Sequence, residues 1–121
     1  MSRTIDICYE TVDGSRIHIE IRAPYYLLGT QQTSKTFWSL PIWNQIGVEQ
    51  LITPGQTDPI YFTGWDMLDQ LSDEIQLFND HIGEIEFDTD IKVSWLSHLV
   101  YCYNLLKIET PADAVPILSI G

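Results

Sequence analysis

The sequence predicts an α+β domain, in which an N-terminal antiparallel β-hairpin sheet packs against an antiparallel pair of long helices. Three observations lead there. Isoleucines alternate with polar residues between positions 5 and 22, two stretches beyond position 62 repeat apolar residues at helical spacing, and only GEIEFD, residues 83–88, separates them. A period of two buries one face of a strand, a period near 3.6 buries one face of a helix, and a short link folds two helices back on each other. The chain of 121 residues suits a single domain, 1–121, able to bury a core without cross-links.

In the hairpin, Ile5, Ile7 and Tyr9 alternate with Asp6, Cys8 and Glu10, and Ile17, Ile19 and Ile21 alternate with His18, Glu20 and Arg22. Asp13-Gly14-Ser15 supplies the turn. A three-residue loop there sets Tyr9 opposite Ile19 and Ile7 opposite Ile21, keeping the apolar residues on one face. Residues 23–36 read as a polar loop with an apolar start. Pro41 and Gly47 bracket a short helix. Residues 52–59, ITPGQTDP, are turn chemistry, and IYF after them is a short strand.

The first long helix is expected to start with Thr63 as N-cap and to end with Gly83 at C′. At about 100° per residue, Leu68, Leu71, Ile75, Phe78 and Ile82 share one face. Asp66, Asp69, Asp73 and Asp80 gather nearly opposite, with Glu74 at the margin and Leu77 among them as an exposed leucine. The second helix spans about 90–107, capped by Asp88 or Thr89. It is apolar almost all round, which predicts burial, with a narrow neutral strip of Ser94, Ser97, Tyr101 and Asn104. The tail after residue 109 begins with a turn and ends in an extended apolar run.

Charge is unevenly distributed. The net charge is −11, residues 1–35 sum to zero, and Gly64–Asp90 holds nine carboxylates with no lysine or arginine. Such a body repels phosphates and anionic membranes and attracts a basic partner. Asp66 and Asp69 gain from the N-terminal helix dipole, whereas Asp80 lies at the unfavourable end. Helix stability therefore does not account for the whole row.

Catalytic motifs are sparse. Cys8, His18 and Glu20 share the polar hairpin face, with Cys8 opposite Glu20 in the expected register, and supply the parts of a nucleophilic site without a marked oxyanion hole. His98 and Cys102, four apart, have metal-ligand spacing but need further donors such as Asp80 and His81. Phe37, Trp38 and Trp43 form an aromatic cluster that reads as core before it reads as a cage for a cation. No phosphate loop, dinucleotide fingerprint, HExxH or calcium loop is present. The expectation is a cytoplasmic, non-catalytic protein with no cofactor and no metal, lacking an apolar signal core and a membrane-length apolar run.

The acidic stretch GWDMLDQLSDEIQLF and the aromatic stretch SWLSHLVYCYNLL together resemble the small acidic bacterial immunity proteins of polymorphic or contact-dependent toxin systems. The resemblance is one of type and carries over no site residues. It implies binding to a basic toxin domain, often a nuclease, and blocking of its cleft. On that reading Asp69, Asp73, Glu74, Leu77 and Asp80 are the partner-binding residues. The alternatives are a structural subunit that assembles with itself through the neutral strip or the hairpin edges, and a small enzyme using Cys8, His18 and Glu20.

Overall fold

The computed structural model describes residues 2–56 and 59–121. Its α+β architecture agrees with the sequence expectation. The elements run β1 (Ser2–Glu10), β2 (Arg16–Ile19), β3 (Leu27–Thr30), α1 (Gln31–Trp38), α2 (Ile42–Gln45), β4 (Ile60–Thr63), α3 (Trp65–Asp80), α4 (Thr89–Glu109) and β5 (Val115–Ile120), with short 3-10 turns at Thr53–Gly55 and Ile82–Glu84. The sheet is antiparallel in the order β2-β1-β5-β4, and β3 pairs with the first part of β1. The C-terminal tail thus becomes a central strand, between β1 and β4.

The hairpin loop has three residues, but one position earlier than expected. Thr11 N–H donates to the Ser15 carbonyl, so Val12, Asp13 and Gly14 form the loop. Asp13 accepts hydrogen bonds from the Thr11 hydroxyl and, at 3.0 Å, from the Ser15 N–H. The register pairs Ile7 with Ile19 and Tyr9 with Ile17. That shift of two keeps every side chain on its expected face, which is why alternation alone could not detect it.

One sheet face carries Ile5, Ile7, Ile19, Phe62, Leu118 and Ile120 into the core. The helices lie against it. Phe37 sits at the centre, its ring 4.7–5.8 Å from those of Trp38, Trp43, Phe78, Phe87 and Trp95. The cluster is core, as read from the sequence. The indole N–H of Trp43 donates to the Phe37 carbonyl at 2.7 Å, so its polar edge is satisfied inside the apolar cluster.

Residues 23–36 are not a loop, since they contain β3 and most of α1. Thr30 caps α1 by accepting the Thr33 N–H. Two side chains of α4 hold the approach to β3. His98 Nδ1 lies 2.7 Å from the Leu27 carbonyl, and the Cys102 thiol donates to the Tyr25 carbonyl at 3.2 Å. A carbonyl only accepts, so Nδ1 carries a proton. Helix positions four apart thereby match backbone carbonyls two apart, one in the turn before β3 and one at its start. At Gly29, φ is +75° and an added Cβ would come within 2.6 Å of the Trp95 ring, so the indole lies against bare backbone.

α3 and α4 are antiparallel. The Tyr103 hydroxyl, late in α4, meets Asp69, early in α3, while Lys92, early in α4, meets the turn after α3. Lys92 is buried and donates to the carbonyls of Ile82 and Ile85 at 2.8 and 2.7 Å. Asp88 caps α4 by accepting the Ile91 N–H. No helix among the described residues is long and apolar enough to cross a membrane.

Candidate protein-binding face

α3 begins one residue later than expected. Gly64 is its N-cap, and Thr63 ends β4 instead, because the Gly64 N–H is taken up by the Pro116 carbonyl of the sheet. At the other end His81 is the C-cap, and Gly83 lies in the following 3-10 turn rather than at C′. Leu68, Leu71, Ile75 and Phe78 point inward. Asp66, Asp69, Asp73, Gln76 and Asp80 are exposed, at alternating spacings of three and four residues. They form one row about 21 Å long at 1.5 Å per residue.

Two residues expected on this face do not belong to its exposed row. Glu74 is only 4% exposed, and its carboxylate accepts the Gln50 N–H at 2.8 Å and the Leu51 N–H at 2.9 Å. Gln70 donates to its second oxygen at 3.2 Å. Glu74 thus satisfies two consecutive backbone donors of the segment after α2, a structural task. Leu77 is half-buried and packs against the core, so it is not an exposed leucine among carboxylates.

The remaining row has few internal partners. Gln76 donates to Asp80 at 2.9 Å, and Tyr103 donates to Asp69 at 3.3 Å. Burial pushes the Tyr103 phenol up, and the charges of Asp69 and Asp73 push it the same way, so it keeps its proton at neutral pH. Helical periodicity places Tyr103 only within the largely apolar surface of α4. An antiparallel register around the link at 83–88 would have placed it near Asp69.

Among the described residues no lysine or arginine forms a salt bridge with the row; His81 Nδ1 lies 2.6 Å from the Glu84 carboxylate, beyond the end of α3. Half of the chain's six cations are engaged elsewhere. Arg3 donates to the Pro54 carbonyl, Lys92 to two carbonyls, and Arg22 lies over the stacked rings of Tyr25 and Tyr101. The field of the row is therefore not neutralised by close cationic partners.

The other candidate sites take different forms. Cys8 lies opposite His18, not Glu20, and Glu20 falls beyond the end of β2. Desolvation by burial pushes the Cys8 thiol up, and although the nearby Arg16 charge opposes this, the net shift disfavours the nucleophilic thiolate. An open depression of about 320 Å³ beside β1 is lined by Asp6, His18, Glu20 and Tyr26 but not by Cys8, so thiol, imidazole and carboxylate do not share one pocket. His98 and Cys102 are engaged with backbone carbonyls, and among the described residues no group of three or more metal-ligating side chains comes together. The expected neutral strip of α4 is rotated. Ser94 lies 3.3 Å from His98 Nε2, Tyr101 stacks on Tyr25, and the exposed row runs through Val93, Ser97, Val100, Asn104 and Ile108.

Compared with protein-family models, curated proteins and solved structures, the chain has no significant match.

Proposed function

We propose that this protein is a non-catalytic binding module whose α3 row engages a basic protein, in the manner of an immunity protein that blocks a toxin domain. The observation that carries the reading is the exposed row of Asp66, Asp69, Asp73 and Asp80, which has no cationic partner among the described residues. Asp69 and Asp73, four apart, repel each other by a few tenths of a kcal/mol, so folding gains nothing from their pairing. A rigid line of carboxylates matches the positive cleft with which a nuclease holds phosphates. It also steers association, because opposite fields raise the encounter rate well above that of neutral surfaces. Asp69, Asp73 and Asp80 carry the charge contact. Glu74 and Leu77 act indirectly, by fixing α3 to the body of the domain.

The experiment uses the product of the gene directly upstream. A basic C-terminal domain in that product should be captured by the wild-type chain and lost by the double variant D69K/D73K, which stays folded with a melting temperature only a few degrees lower from loss of the Tyr103–Asp69 hydrogen bond. An upstream metabolic enzyme, or equal capture by both chains, refutes the reading.

A further inference from the structure

The exposed face of α4 differs from the acid row. It presents Val93, 54% exposed, Val100, 40%, and Ile108, 77%, with exposed Ser97 and Asn104 between them. Asp90 lies at one end and Lys107 at the other, so the ionised side chains on the face sum to zero. A basic partner has no electrostatic reason to choose it.

The face alternates apolar and polar residues and reads the same way from either end. Reversing the helix about Val100 brings Ile108 to within one residue, about 1.5 Å, of the position opposite Val93, brings Asn104 equally close to the position opposite Ser97, and sets Val100 against its own copy. Such self-complementarity is the signature of an interface related by a two-fold axis. The charges follow the same symmetry. Asp90 and Lys107 lie seventeen residues apart, about 25 Å along one helix, too far to pair within a chain. Neither side chain has a hydrogen-bonding or ionic partner among the described residues. In the antiparallel copy, Lys107 falls one helical turn from Asp90, about 5 Å along the axis and within reach of a lysine side chain. The pair then forms twice.

We infer that α4 is a homodimerisation face, in which a second copy of this chain packs antiparallel about Val100 with reciprocal Lys107–Asp90 pairs. One helix face is smaller than the roughly 1,200 Å² of a stable interface, so the dimer is weak and depends on concentration. This surface is separate from the acid row, and its test does not depend on the proposed partner.

The test is sedimentation equilibrium of the full chain from 10 µM to 1 mM at 0.15 M salt, where repulsion between the acidic bodies is screened. The wild type should show a monomer–dimer equilibrium. V100D should weaken it at least tenfold, by facing two carboxylates across the axis. K107E should also weaken it, and the charge swap D90K/K107E should restore it. The positions are exposed, so unchanged thermal melts confirm that each variant is folded. D69K/D73K should dimerise like the wild type. A wild type monomeric throughout, a V100D chain that dimerises equally well, or a swap that fails to restore association overturns the inference.

Discussion

Replacing Glu74 with alanine should destabilise the fold by about 3 kcal/mol. The carboxylate accepts two backbone N–H groups, and hydrogen bonds to a charged group contribute roughly 1.5–3 kcal/mol each. The bond to Leu51 is buried and the bond to Gln50 is only partly so. Water can therefore reach the Gln50 donor once the carboxylate is gone, while the Leu51 donor remains unpaired. Weighting the first near 1 kcal/mol and the second near 2 gives the total of about 3 kcal/mol. For a domain of this size that corresponds to a fall of roughly 10–15 °C in Tm. Urea titration followed by circular dichroism measures it, with an unchanged slope showing that the denatured state is unaffected. Glu74→Gln retains one acceptor oxygen and should lose about half as much. Amide exchange at Gln50 and Leu51 should accelerate in Glu74→Ala. A loss below about 1 kcal/mol, within the range of an ordinary surface change, would refute the structural role of Glu74.

Two further effects are expected. Burial pushes the Cys102 thiol up to about 12 from its ordinary 9.0, so between those values the unfolded chain releases a proton that the folded chain keeps. Stability should therefore fall as pH rises through that window, and Cys102→Ala should flatten the fall measured by urea titration from pH 8 to 11, leaving the parts due to Cys8 and Tyr103; equal slopes would contradict it. Gly29→Ala forces a methyl group to within 2.6 Å of Trp95 at positive φ and should cost about 2–4 kcal/mol, whereas Gly14→Ala, also at positive φ but with nothing within 4 Å, should cost about 1 kcal/mol; equal urea midpoints would contradict the packing assigned to Gly29.

Much of the fold was legible because its signals are local. Isoleucine alternation and the two helical periods mark β1, β2, α3 and α4, and the short link dictates the antiparallel helix pair. α1 was missed because QQTSKT is polar and its two aromatic anchors come only at the end of the helix. β5 gave no alternation because Ile117, Leu118 and Ile120 are all buried in a central strand. Glu74 lies three residues after Leu71 and four before Phe78, so its inward direction was implicit in the helical spacing. Its charge suggested the surface instead, and its backbone partners, more than twenty residues away, leave no local mark. The acid row survives without Glu74 and Leu77, with Tyr103 added beside Asp69. The rotation of α4 follows from the stacking of Tyr101 on Tyr25, a contact that periodicity cannot reveal.

The most direct measurement of the central claim is the salt dependence of association with the basic upstream-encoded domain, by stopped flow at ionic strengths from about 0.01 to 0.15 M. The Debye length shrinks from about 30 to 8 Å across that range. The wild-type rate should fall at least tenfold, and D69K/D73K should start lower and respond much less. A wild-type rate indifferent to salt, or a double variant with the wild-type slope, would contradict a binding role for the α3 row.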